Sequence, residues 1–277
     1  MHQILLTECP DSQGLISKIT HVCYQHHLNI LKNNEFVDET TGRFFMRTEF
    51  EGKLDEPAFL SKLDEILPEG SERRITSLER KRIVIMVTKE AHCIGDLLMK
   101  QYFNALDVDI VAVISNYDVL EDLATKFGVP YHHVCHQNLS REEHEQRILA
   151  LLAEYAPDYI VLAKYMRILS PQFVEAYPNQ MINIHHSFLP AFIGASPYQQ
   201  AFERGVKFIG ATAHFVSNDL DEGPIIAQDV IKVDHTYTAK GMAQAGREVE
   251  ESVLLHALQQ VLQEKVFVFG NRTVVFQ

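Results

Sequence analysis

The sequence predicts an α/β protein in two units: a small βαββαβ module, then an open, mostly parallel sheet covered by helices. Three observations carry this. The first eighty residues alternate strand-like and helix-like periods in the order β-α-β-β-α-β. The remainder alternates near-continuous Val, Ile and Leu runs with helical stripes, and a charged bridge, "LERKR", separates the two regimes. The expected boundaries are therefore 1–80 and 81–277, two units each large enough to bury a core.

In the first unit, "QILLTECPD" reads as a strand ending at Pro10 and Asp11, and Leu15, Ile16, Ile19, Val22 and Cys23 then recur at the spacing of one helical face. "NILKNNEFVDETTGRFFMRTEFEG" gives two strands around a turn at Glu39 to Gly42. "PAFLSKLDEIL" supplies a second helical stripe and "RRITSL" the closing strand. This order is the ferredoxin-like split βαβ pattern, four antiparallel strands with two helices on one side. With "CPDSQGLISKI" at its first loop and helix turn, the module resembles an ACT domain. The resemblance implies a small amino-acid effector held at Asp11, Ser12, Gln13, Gly14 and Leu15, and pairing of the module into a homo-oligomer. Gly14 permits close backbone approach, and the first N–H groups of the following helix can meet a ligand carboxylate.

Beyond the bridge, "RIVIMVT", "VDIVAVISN", "VPYHHV", "DYIVLAKY" and "MINIHHS" read as strands, separated by helical patterns such as "EDLATKFG" and "REEHEQRILALLAEYA". Ligands in such sheets bind beyond the carboxyl ends of the strands, which is where the residues following "MINI" fall.

Composition excludes several functions. The net charge is -12 and the 25 Lys and Arg are scattered, so a nucleic-acid backbone would meet an opposing field. No apolar run approaches the length of a membrane span, and the first residues lack a basic stretch leading into a long apolar one; a cytoplasmic protein is expected. The four cysteines have no C-x-x-C spacing and suggest reduced thiols. "YHHVCHQ" holds four ligand types, but strand alternation puts His132 and His136 on one face and His133 and Cys135 on the other, so no metal site is expected there.

Chemistry concentrates at "MINIHHSFLPAF". Within a strand, Asn183 and His185 point to the same side and His186 to the other. A third group is offered by "GATAHFVSNDLDEGPIIAQ", where a strand ending at Val216 runs into the acidic loop Asp219 to Glu222, closed by Gly223 and Pro224. Carboxamide, imidazole and carboxylate together suit acyl transfer. The amide donates to a developing oxyanion, the imidazole moves a proton, and the carboxylate holds and deprotonates an attacking water. Each also has a plainer use: a strand-end histidine commonly satisfies a backbone carbonyl, and acidic loops are commonly solvated turns.

The pairing of "NIHHSFLPAF" with "GATAHFV" and "DLDEGPI" resembles the folate-dependent formyltransferase family, over essentially all of residues 82 to 277. The resemblance implies Asn183, His185 and Asp221 as catalytic groups and His214 as a supporting partner of Asp221. It implies a pterin-facing segment at Met166, Arg167, Ile168 and Leu169, and a folate-binding lid at Leu220, Glu222, Gly223 and Pro224 around Asp221. Where relatives commonly read Lys and Asn, this chain has Ile193 and Ser196, which leaves those folate-tail contacts unassigned.

Within that family the fork is between transferase and hydrolase. Amine-accepting relatives carry a Gly- and Ser-rich turn after the first strand, where backbone N–H groups cradle a nucleotide phosphate. Here the turn is Thr88, Lys89, Glu90, Ala91, His92 and Cys93, with bulk and an acid in place of glycine. The expectation is hydrolysis of 10-formyltetrahydrofolate to formate and tetrahydrofolate, without cofactor or metal, supplying formate for purine synthesis and balancing one-carbon pools. Formyl transfer to an amine such as glycinamide ribonucleotide, or a catalytically silent amino-acid sensor, are the alternatives.

Overall fold

The computed structural model describes residues 2–191 and 197–277, and the chain divides into two units. The first comprises residues up to Glu79 with Gln263–Phe267 and Val274–Gln277; the second comprises Arg80–Leu262 and Val268–Thr273. Ile193 and Ser196 lie outside the described residues.

The first unit runs β1 (His2–Pro10), α1 (Leu15–Gln25), β2 (Asn29–Asp38), β3 (Arg43–Glu51), α2 (Glu56–Ile66) and β4 (Glu72–Ser77), with sheet order β2-β3-β1-β4 and every pairing antiparallel. Asp55 caps α2, its side chain accepting from the Ala58 N–H, with Pro57 in the first turn. Strand alternation turns Leu5 and Cys9 of β1 and Phe44, Met46 and Phe50 of β3 into one cluster with Ile19, Val22, Phe59 and Leu63 of the helices. Of the five expected effector residues, Asp11, Ser12, Gln13 and Gly14 are exposed in the β1–α1 loop, with Gly14 at φ 84°, whereas Leu15 belongs to this core.

The opposite face of that sheet is also buried, which two helices on one side do not explain. Residues 263–267 and 274–277 cover it, although the boundary at 81–277 assigned them to the second unit. Phe45 packs edge-on against Phe267 at 5.6 Å, and Phe267 in turn against Phe276 at 5.7 Å. Buried Arg47 donates Nε to the Glu264 carbonyl (3.0 Å) and Nη2 to the Gln263 carbonyl (3.1 Å). The Glu264 carboxylate takes Arg74 Nη2 at 2.9 Å and Thr76 Oγ1 at 3.1 Å. The physical reason lies in "FFMR": consecutive buried residues point to alternate faces, so each face needs a cover.

In the second unit the order is β5 (Lys81–Val87), α3 (His92–Tyr102), β6 (Val108–Ser115), α4 (Glu121–Lys126), β7 (Tyr131–His133), α5 (Arg141–Tyr155), β8 (Tyr159–Leu162) and α6 (Pro171–Ala176). It continues with β9 (Met181–His185), α7 (Pro197–Arg204), β10 (Phe208–Phe215), β11 (Ile225–Lys232) and α8 (Ala239–Leu262). The short strands β12 (Val266–Phe269) and β13 (Arg272–Val275) pair with one another. The main sheet has the order β11-β10-β9-β8-β5-β6-β7, parallel from β9 through β7, with β10 antiparallel to both β9 and β11. Val84, Met86 and Ile160 are wholly buried in the center of it, each side chain contributing roughly 1.5–3 kcal/mol. A capping box starts α5: Ser140 Oγ accepts from the Glu143 N–H while Glu143 Oε2 accepts from the Ser140 N–H. The chain builds outward from β5 to β6 and β7 and then returns to β8 on the other side of β5, so the strand order reverses between β5 and β8 and the crevice beyond their carboxyl ends opens there, next to β9. None of the described helices is long and apolar enough to cross a membrane.

Candidate active site

Three segments meet at that crevice around a cavity of about 290 Å³. The end of β8 and its loop supply Lys164 to Leu169, the end of β9 supplies Asn183 to His186, and the β10–β11 loop supplies Ser217, Asn218, Leu220 and Asp221. Met166, Arg167, Ile168, Leu169 and Leu220 line the cavity, and Met166, Ile168 and Leu220 are more than half exposed. Glu222, Gly223 and Pro224 do not line it. They shape the loop instead: the Phe215 N–H donates to the Pro224 carbonyl at 2.9 Å, and a Cβ on Gly223 would lie 1.8 Å from the Phe215 carbonyl oxygen.

The register of β9 against β10 sets the polar groups. His214 sits directly across from Asn183, next to a break in register between Ala213 and His214 in the β10–β11 pairing. His214 Nδ1 donates to the Phe215 carbonyl (2.9 Å), which leaves Nε2 of the neutral ring as an acceptor. Asn183 Nδ2 donates to that nitrogen at 3.1 Å, which fixes the amide orientation and leaves its second N–H for another acceptor. His214 was expected to support Asp221, yet its Nε2 is 3.8 Å from Asp221 Oδ1 and its nearer partner is Asn183. Burial holds the His214 imidazole below its ordinary pKa, outweighing the Phe215 carbonyl and Asp221.

His185 Nδ1 faces Asp221 Oδ2 at 3.3 Å, and its buried Nε2 has no hydrogen-bond partner among the described residues. Asp221 holds its backbone at φ 58°, a left-handed conformation costing a non-glycine residue about 1–2 kcal/mol. Burial raises its carboxyl, but the hydrogen bond and charge of His185, with His214 and His186, outweigh that and hold it below the ordinary value.

His186 departs from the alternation expected of it, because β9 ends at His185. Its ring lies 5.2 Å from that of His185, and it lines the same cavity. Burial, then the Lys164 charge, lowers its pKa to about 4 against the pull of Glu250 and Asp221.

Behind His186 lies a cluster that sequence reasoning did not find. Glu250 of α8, 1% exposed, accepts from Tyr198 Oη on Oε1 (2.7 Å) and from His92 Nε2 on Oε2 (2.8 Å), with Lys164 Nζ 3.1 Å from Oε2. Burial alone would raise this carboxyl; His92, Lys164 and Tyr198 outweigh it and bring it to about 2. The two ends of the turn at Thr88 to Cys93 are engaged inward, with Thr88 Oγ1 donating to the Lys164 carbonyl (2.8 Å) and Cys93 buried, while Lys89 and Ala91 are exposed, Lys89 lying over the Tyr117 ring. Donor atoms of His92, Cys93 and Glu250 fall within 4.8 Å of one another, but the Lys164 ammonium already neutralizes that carboxylate. In "YHHVCHQ" the side chains go separate ways: His132 to Tyr155 Oη at 2.7 Å, His136 to Asn116 at 3.4 Å, and Cys135 to solvent.

Acid should weaken the fold through these groups. With a folded pKa of about 4 against an ordinary 6.5, His186 is protonated in the unfolded chain first, so stability present above pH 6.5 is lost as pH falls toward 4. Glu250, at about 2 against 4.5, adds stability present above 4.5 and lost as pH falls toward 2. Urea midpoints at pH 7, 5.5 and 4 should fall steadily, the His186 part amounting to roughly 2–3 kcal/mol at ~1.4 kcal/mol per unit. His186→Gln should flatten the upper step.

Comparison with known proteins gives the family. Residues 81–258 match the Formyl transferase family and residues 3–68 the ACT domain family. A formyltetrahydrofolate deformylase of Haemophilus influenzae is 61% identical over 273 residues, covering 99% of this chain and 98% of that protein. The chain belongs to the formyltetrahydrofolate deformylase family. A crystal structure of the deformylase from Pseudomonas syringae superposes with a TM-score of 0.95 at 40% identity, covering all of this chain and 95% of that one. Glycinamide ribonucleotide transformylase 1 of Symbiobacterium toebii is also similar, with a TM-score of 0.69 at 27% identity, but covers 76% of this chain. Deformylase relatives thus span both units, and the fold is an ACT domain followed by a formyltransferase-type α/β domain.

Proposed function

We infer that this enzyme hydrolyses 10-formyltetrahydrofolate to formate and tetrahydrofolate at the Asn183, His185 and Asp221 site. Membership of the deformylase family over the full chain supports the reaction, and the convergence of amide, imidazole and carboxylate on one cavity carries the mechanism. The pterin lies along Met166 to Leu169 and Leu220, with the formyl group at Asn183. The amide N–H that His214 leaves uncommitted donates to the formyl oxygen as it becomes an oxyanion.

We move the water's proton away from Asp221, the base expected from the sequence, because a carboxyl held below its ordinary pKa is a weak base. The geometry gives the proton to His185 instead: Nδ1 rests on Asp221, and Nε2, unpartnered among the described residues, takes a proton from the attacking water and returns it to N10 as the carbon–nitrogen bond breaks. Asp221 stabilizes the imidazolium formed in between. This route requires neither cofactor nor metal. Formate released in this way serves purine synthesis and lowers the pool of formylated folate.

Purified protein should release formate from 10-formyltetrahydrofolate without an amine and undiminished by a chelator. Turnover that required glycinamide ribonucleotide would establish transfer instead. The ACT domain is the site of an amino-acid effector, its carboxylate at the exposed Gln13–Gly14 backbone ahead of α1, and the module pairs in a homo-oligomer. Glycine and methionine are the first effectors to add to the same assay; unchanged rates and no binding at millimolar concentration would leave the domain purely structural.

A further inference from the structure

We propose that Tyr198, seated on Glu250 above Gly246, determines the nucleophile: it fills the space behind His186 and restricts attack on the formyl carbon to water. This rests on the hydrolytic reading of the site and says what enforces it.

His186 is a shared wall. It lines the catalytic cavity and also a cavity of about 20 Å³ that Tyr198 helps to line, with the two rings 6.2 Å apart. That smaller space holds about one water and nothing larger. Lys164 lines the catalytic cavity beside His186 and is tied to the same carboxylate as Tyr198. A reactant other than water, approaching from this side, would have to displace a tyrosine, a buried ammonium and their common acceptor.

Two local features show that the seat is built for a large side chain. Gly246 lies within α8, where glycine costs about 1 kcal/mol relative to alanine. A Cβ there would lie 2.1 Å from Tyr198 Oη, so the helix surface is cut away under the ring. Lys164 holds φ 63°, a conformation unfavorable for its type, with its ammonium 3.1 Å from Glu250.

The test is a partition experiment with hydroxylamine as the competing nucleophile. In the diverted reaction the formyl carbon–N10 bond breaks, a carbon–nitrogen bond forms to hydroxylamine, and one of its protons passes to N10, giving formohydroxamate and tetrahydrofolate. Tyr198→Ala should raise the ratio of formohydroxamate to formate, above the enzyme-free background, by about tenfold or more, the scale on which pocket volume discriminates between reactants. Tyr198→Phe keeps the ring and should stay near the parent ratio. Gly246→Ala leaves Tyr198 in the chain but drives it from its seat, and should raise the ratio as Tyr198→Ala does. A product ratio is indifferent to the fraction of enzyme that is folded, so partial loss of stability does not mimic the effect. Equal ratios in all four proteins would overturn the proposal while leaving hydrolysis intact. A parent enzyme that releases no formate would instead overturn the hydrolytic reading.

Discussion

His185→Ala is expected to lower kcat for formate release by on the order of a thousandfold, the middle of the range for a group that moves the reacting proton. In the proposed route the imidazole acts twice, taking the proton of water and returning it to N10, with its Nδ1 3.3 Å from Asp221 through both steps. Asn183→Ala should cost about 3 kcal/mol of transition-state stabilization, on the order of a hundredfold in kcat, with KM less affected because the oxyanion exists only during the reaction. His214→Ala should reproduce part of the Asn183 defect, since the amide loses the acceptor that orients it. Single-turnover formate release reads all three. An Asn183 or His185 variant with nearly full kcat would remove that residue from the mechanism.

Glu250→Ala should destabilize the enzyme by about 3–5 kcal/mol, because it strands a buried lysine without its counter-charge. Lys164 is 4% exposed, and Tyr198 Oη and His92 Nε2 would lose their acceptor at the same time. Glu250→Gln keeps an acceptor of the same shape and should cost less, whereas Lys164→Met combined with Glu250→Leu removes both charges together and should recover much of the loss. Chemical denaturation at neutral pH measures each. If Glu250→Ala unfolded at the parent midpoint, the ammonium would have to find water, contrary to its burial.

How much of this was legible depended on how local the signal is. Asn183 and His185 followed from strand alternation, and the acidic loop from its Gly-Pro closure, because such features involve few residues and fixed backbone geometry. The ACT-like order followed from periods that change at each turn. The Glu250 cluster could not be seen this way. "REVEES" reads as a solvated helix face, and Lys164 follows a strand in a left-handed conformation that sequence periodicity does not encode. Its partners come together only when α3, α7 and the loop after β8 pack around α8. His214 was found by resemblance, but its partner was settled by cross-strand register, which places it opposite Asn183. The cover on the first sheet left one trace, the unbroken "FFM" that needs apolar neighbors on two sides.

That cover bears on the timing of assembly during synthesis. Residues 263–267 and 274–277 emerge after all of Arg80–Leu262, at about 5–20 residues per second, so the strands made first wait for the segment made late. Until then Phe45 lacks the Phe267 edge and Arg47 the two carbonyls that they meet in the finished fold. The unit translated first is therefore the last to be finished, and its vulnerable interval in the cell is set by the time taken to translate the unit that follows it.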